Sequence, residues 1–331
     1  MKLASIKDGS RDGQLAVVAR DLKTAHMADA IAPTLQAALD DWAFIAPQLE
    51  NLYQQLNAGQ ARRAFDFDPA RCMAPLPRAQ LFAGGAAWTH HLVLAQRALG
   101  LEPPTFLLEE PWMAQGGGAL LGACDPIVLA HEEWGIDFGA GIAAIMDDLA
   151  LGATPDEAHG RIRLLTLTNE VALRNLMPEE LAKGGGPLQT RPATGFSPVA
   201  VTPDEFGDAW HGGKLHLRLT STWNGNPVGQ PDAGVDMAFN FPQLVAHLCK
   251  TRALGAGSIV GAGPVTNKDS TRRGALAPGY SCIAQQRSSE TIASGAPATP
   301  YMRFGDTIRI EMLGEKGKSV FGAIEQKVNK F

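Results

Sequence analysis

From residue 127 to the carboxyl end the chain is a succession of short apolar runs, most of them closed by a glycine- or proline-bearing turn: IVLA, GIDFGAGIAAIMDD, IRLLTLTNEVA, VAVT, KLHLRLTSTWNG, SIVGAG, DTIRIEML and SVFGAIEQ. Runs of this length, rich in Ile, Val, Leu and Thr, predict strands. A single helical pattern, FNFPQLVAHLCKTRALG, interrupts them. Strands that do not alternate regularly with helices exclude a doubly wound parallel sheet and predict a β-rich α+β fold.

One of these runs is anomalous. IDFGAGIAAI, residues 136–145, has the composition of a strand yet carries Gly139 and Gly141 in its middle. Side chains alternate faces along a strand, so Gly139, Gly141 and Ala143 leave one face almost bare. Glycine inside a strand weakens it and marks the close approach of a ligand or of another backbone.

Upstream, KLASI and LAVVAR, joined by KDGSRDGQ, predict a hairpin, and APTLQAALDDW and APQLENLYQQLNAG predict short helices with proline near the first turn. The stretch ARRAFDFDPARCMAPLPRAQ has no clear period and reads as a linker. A boundary near residue 75 gives a small N-terminal α/β domain (1–75) and a larger domain (76–331), a division suited to 331 residues. GGAAWTHHLVLAQRALG predicts a helix that begins just after Gly84 and Gly85 and ends at Gly100, and the glycine triplets at 116–118 and 184–186 read as loops.

A net charge of −5 gives no electrostatic case for nucleic acid or an anionic membrane. No apolar run approaches the ~20 residues that span a bilayer, and MKLASIKDGSRDG turns polar too soon for a signal peptide. The expected setting is the cytoplasm, and the expected partner a small molecule or another copy of the chain. Cys72, Cys124, Cys249 and Cys282 are far apart and form no CxxC pair, which argues against zinc and disulfides and for buried free thiols.

LGAGSIVGAG superficially matches a dinucleotide-binding loop, but a helical pattern precedes it and the β-branched SIV follows, so it reads as a helix-to-strand turn. His90 and His91 are neighbours on a helix and point about 100° apart, so at most one faces a cleft. HEEW, with His131, Glu132 and Glu133, reads as a turn with solvated charges. Glu170 follows the strand RIRLLTLTN and stands at helical spacing from Arg174 in NEVALRNL, which suits an active-site carboxylate and a surface ion pair equally.

PLPRAQ at 76, QGGGALLG at 115, EEWGIDF at 132, NEVALRNLMPEELAKG at 169, QTRPATGFSPVAVTPDEFG at 189, GAGSIVGAGPVTNKD at 255, MRFGDTIRIEML and SVFGAIEQ occur in order along most of the chain. In these segments the sequence resembles the fumarylacetoacetate hydrolase family. The resemblance implies a mixed β-roll domain of the fumarylacetoacetase C-terminal type, a small amino-terminal domain and a homodimer. It also implies hydrolysis, hydration or decarboxylation of 2-oxo and 1,3-dioxo acids, as in aromatic catabolism, around Mg2+ or Ca2+ held by carboxylates. In the hydrolases a histidine acts as general base on water and a lysine stabilises the carbanion.

The resemblance places the family's histidine at His91. Its carboxylate positions fall on Gly84, at the start of the helix, on Gly139 and Gly141, and on Glu170, where an aspartate is usual. The lysine is replaced by Arg191 and a threonine by Pro264. With Glu170 as the residual ligand and three positions lacking a side-chain carboxylate, binding of Mg2+ or Ca2+ is expected to be weak or absent. Three functions follow: a hydrolase or hydratase of dioxo acids whose cation is rescued by Glu133 or Glu170; a non-catalytic relative that binds a small oxo acid or serves assembly; and metal-independent keto–enol chemistry run by His91 with Arg191 as anion anchor.

Overall fold

The computed structural model describes residues 1–116, 118–184, 186–268, 279–314 and 317–331. Gly117, Gly185 and Asp269, each part of a segment singled out above, lie outside the described residues. Lys2–Ile6 pairs antiparallel with Gln14–Val18 as the expected hairpin, and its first strand also pairs with Ala200–Val201, entering a twelve-stranded sheet. From Ala200–Val201 the order runs through Ile162–Glu170, Ala140–Met146, Ile259–Pro264 and Phe82–Gly85. The last two are parallel and the others antiparallel, so the sheet is mixed. A five-stranded sheet orders Asn226–Gly229, Leu219–Trp223, Thr307–Met312, Ile324–Lys330 and Ile127–Leu129. The chain therefore has the expected sheet-rich α+β fold.

Ala140–Met146 explains why its sequence is apolar at every position. Ile142, Ala144 and Met146 enter one hydrophobic core with Phe138, Leu165 and Val260. Ala143 and Ile145 enter a second core with Leu3, Leu15, Leu49 and Leu164. A strand covered on both faces needs no polar alternation.

Four local expectations are corrected. The continuous strand over residues 136–145 is broken: Ile136–Asp137 pairs with Ala172–Leu173, and Ala140–Met146 pairs elsewhere, with Gly139 in the gap. The helix expected just after Gly85 starts at His90, because Phe82–Gly85 is drawn into the sheet beside Ile259–Pro264. NEVALRNL is not helical, since Glu170 ends one strand and Ala172–Leu173 forms another. The second N-terminal helix starts at Trp42 and keeps Pro47 inside it. A helix that the sequence pattern did not predict, Ile283–Ser294, packs against His90–Ala98 and is closed by Gly295 at φ +83°.

Candidate active site

Glu170 is the last residue of Ile162–Glu170, and Ala193–Phe196 pairs with that end of the strand, matching Glu170 to Thr194. Arg191 stands just before this partner strand, so register alone brings it beside the carboxylate. Its Nη1 donates to Glu170 Oε2 at 2.8 Å, with the Glu170 side chain 4% and that of Arg191 23% exposed. Burial raises the Glu170 pKa, and the Arg191 ion pair opposes the rise. Among the described residues Glu170 Oε1 and Arg191 Nε have no hydrogen-bond partner within ordinary geometry, while the Gly263 main chain lies close enough to the Glu170 carboxyl to favour its charged form. A buried donor and a buried acceptor, both open at one ion pair, are uncommon in a settled core.

Gly84 and Gly261 shape the floor under this pair. A Cβ on Gly84 would lie 3.3 Å from Glu170 Oε2 and 3.8 Å from Arg191 Nη1, and one on Gly261 would lie 3.1 Å from Glu170 Oε1. Gly139 and Gly141 are crowded by main chain instead. Their Cβ atoms would meet Glu170 O at 2.6 Å and Gly263 O at 2.5 Å. The bare strand face is thus filled by another backbone.

His91 is the second residue of His90–Ala98. Its pKa is lowered to about 3, chiefly by burial and then by the charges of Arg174, Arg191 and His90, so the imidazole is neutral at physiological pH. Its Nδ1 lies 3.8 Å from Cys282 Sγ. Asp137, also buried, accepts from Ile283 N (2.6 Å) and Ala284 N (3.1 Å) at the start of the Ile283–Ser294 helix, and from Arg174 Nε (2.8 Å). Burial raises the Asp137 pKa, with Arg174 opposing.

The fold therefore gathers Gly84, Glu170 and Arg191 at one point, with Gly139 against the Glu170 backbone. His91 lies close enough for the Arg191 charge to act on it. Gly141 faces Thr168 and Gly263 instead. Arg174 does not pair with Glu170 as the helical spacing suggested; it serves Asp137. Glu133 is outside the cluster, its side chain 85% exposed and 4.0 Å from His131. Asp137, Arg174 as its partner and Cys282 were not picked out from the sequence. The only cue was Asp137 inside EEWGIDF, while Cys282 precedes the helix that was missed.

A hard divalent cation takes several oxygen ligands, mostly carboxylate or carbonyl. Here the positions in question supply one carboxylate, already engaged by a guanidinium. Among the described residues no group of three or more His, Cys, Asp or Glu could hold a metal ion. This donor set does not fit Mg2+ or Ca2+.

Two family models match the chain. Fumarylacetoacetase N-terminal domain 2 covers residues 1–78, and fumarylacetoacetate (FAA) hydrolase C-terminal covers residues 80–329. No curated protein matches. Similar solved structures include fumarylacetoacetate hydrolase from the psychrophile Exiguobacterium antarcticum (16% identity, TM-score 0.65, all of both chains covered). Maleylpyruvate hydrolase from Sphingobium sp. SYK-6, in complex with manganese(II) and pyruvate, is similar at 15% identity and TM-score 0.63, with 100% of this chain and 99% of that one covered. The 5-carboxymethyl-2-hydroxymuconate delta-isomerase from Mycobacterium smegmatis is similar at 15% identity and TM-score 0.59, with all of both chains covered. At these identities the likeness is one of fold. No helix among the described residues is long and apolar enough to cross a membrane.

Proposed function

The chain belongs to the fumarylacetoacetate hydrolase family, and on that premise we propose that it enolises a small 2-oxo or 1,3-dioxo acid without a divalent metal. The observation that carries this reading is the pair of open atoms at one buried ion pair: Arg191 Nε offers a donor for an anionic oxygen, and Glu170 Oε1 an acceptor for a proton. Arg191 anchors the substrate through charge-assisted hydrogen bonds. The C3–H bond breaks, its proton passes to Glu170 Oε1, and its electron pair becomes the C2=C3 bond. The C2 oxygen takes up the charge beside Arg191, with neutral His91 nearby. Delivery of that proton to the enolate oxygen completes the keto–enol tautomerisation, and its return to C3 is what isotope exchange reads.

Burial suits Glu170 to this role, because a carboxylate raised toward the working pH is a stronger base. Affinity for Mg2+ or Ca2+ is weak in this reading, since the one carboxylate charge is balanced by Arg191. The similar structures include an isomerase as well as hydrolases, which keeps proton transfer within the range of this fold. Deuterium exchange at C3 of acetylpyruvate in D2O with EDTA, followed by proton NMR, tests the proposal. Exchange faster than the protein-free control is expected for the unaltered protein, with loss of the excess rate in Glu170→Gln and a raised KM in Arg191→Met. No exchange above the protein-free rate, or an excess only with added Mg2+ or Mn2+, would sink it.

A further inference from the structure

His91 and Cys282 meet between two packed helices. Cys282 immediately precedes Ile283–Ser294, and its Sγ lies 3.8 Å from Nδ1 of His91 on the neighbouring helix. A neutral imidazole carries one proton, and the nitrogen that holds it is a donor while the other is an acceptor. Two features place the lone pair on Nδ1.

The first is the pairing itself. An imidazole nitrogen is a good acceptor and a thiol sulfur a poor one, so S–H···N is favoured over N–H···S. Cys282 is fully buried, and burial pushes its pKa up to about 12, so the thiol proton is there to give. The second is the charge at the thiol. The Asp137 carboxylate takes the first amides of the helix that Cys282 precedes, and at Cys282 it outweighs Arg174, so it too keeps the sulfur protonated and able to donate.

We infer that Cys282 is a positioning residue that fixes His91 as its Nε2–H tautomer, so that His91 meets a bound oxo acid as a hydrogen-bond donor to the carbonyl oxygen and not as a base. The inference deepens the enolisation reading and rests on it for the role of the donated hydrogen bond. It leaves proton abstraction to Glu170.

Nitrogen-15 NMR of the labelled full chain reads the tautomer without any ligand, with His91→Ala identifying the signals among eight histidines. The expected result is protonated Nε2 and unprotonated Nδ1. Cys282→Ala is expected to yield a tautomer mixture, and Cys282→Ser, whose hydroxyl still donates, to preserve the single form. In the acetylpyruvate exchange assay Cys282→Ala should lower kcat about tenfold, roughly the worth of one hydrogen bond, with KM little changed and partial recovery in Cys282→Ser. An Nδ1–H tautomer in the unaltered protein, or an unchanged tautomer in Cys282→Ala, overturns the inference. An Nε2–H tautomer with no exchange activity upholds the pairing and removes the enolisation reading instead.

Discussion

Arg191→Met tests whether the guanidinium is the cation that allows a carboxylate at position 170. Methionine keeps much of the stem volume and removes the charge, leaving the Glu170 side chain, 4% exposed, without its partner. Breaking a buried ion pair from one side costs about 3–5 kcal/mol. Arg191 is 23% exposed, so water replaces part of the loss and about 2–4 kcal/mol is expected at pH 7. Unfolding entropy near 2.1 cal/mol/K per residue gives about 0.7 kcal/mol/K for 331 residues, so Tm should fall by about 3–6 °C.

The pH dependence carries the diagnosis. The folded-state pKa of Glu170 is already raised above the ordinary 4.5 by burial, and removing Arg191 raises it further. A carboxyl with a raised folded-state pKa binds its proton more tightly when folded. The resulting stability is full below the unfolded value and is lost as pH rises through the folded value. The defect of Arg191→Met relative to the unaltered protein should therefore be greatest near neutrality and shrink toward pH 4.5 and below. Glu170→Gln in the same chain should recover much of the defect at pH 7. Thermal melts of the two single variants and the double variant, at several pH values, supply the measurement. A Tm change under 1 °C at pH 7, or a defect independent of pH, would show that the pair is not what holds the Glu170 charge.

The glycines should rank by what a methyl group meets. Gly84→Ala faces a carboxylate tip at 3.3 Å and should cost under about 1 kcal/mol, whereas Gly139→Ala and Gly141→Ala meet carbonyl oxygens at 2.6 and 2.5 Å and should cost about 1–3 kcal/mol or more; denaturant midpoints read the order. Restoring Gly139→Glu and Gly141→Glu is accordingly expected to destabilise the fold, and calorimetric titration with Mg2+ is expected to show no tight site. Arg174→Met should cost about 3–5 kcal/mol by stranding Asp137, detectable as a lowered urea midpoint. Asn240→Ala removes the side-chain half of the capping box at the Phe241–Cys249 helix, the Oδ1 that accepts from Gln243 N, and should cost about 1 kcal/mol in the same assay.

The sequence announced its strands where periodicity and turn residues agreed, as in SIVGAG and DTIRIEML, which appear as Ile259–Pro264 and Thr307–Met312. It misled where tertiary pairing overrode local pattern. Nothing in IDFGAGIAAI indicates that Asp137 and Ala140 join different partners, because strand breaks are decided by register with distant segments. Ile283–Ser294 was hidden for the opposite reason: within it only Ile283 and Gln285 are fully buried, so it carries no apolar stripe to detect. That helix brings Cys282 to His91 and its first amides to Asp137, so missing it meant missing half of the site. Glu170 and Arg191 were legible as residues, but their contact depends on the pairing of Ala193–Phe196 with Ile162–Glu170.

The chemistry proposed follows from what a guanidinium can and cannot replace. A bound dication compensates two charges, orients oxygen ligands and lowers the pKa of its water enough to make hydroxide near neutrality. Arg191 supplies one permanent charge and a planar set of donors, which suffices to hold a carboxylate or an enolate oxygen. It has no means of acidifying water. Hydrolysis of a carbon–carbon bond needs a nucleophilic water, and the available base would then have to generate it unaided. Enolisation needs only a base near the C–H bond and positive potential at the oxygen, and Glu170 with Arg191 provides both within one 2.8 Å contact. The division between the two reactions thus falls on water activation, and on this donor set the balance favours moving a proton between substrate and protein.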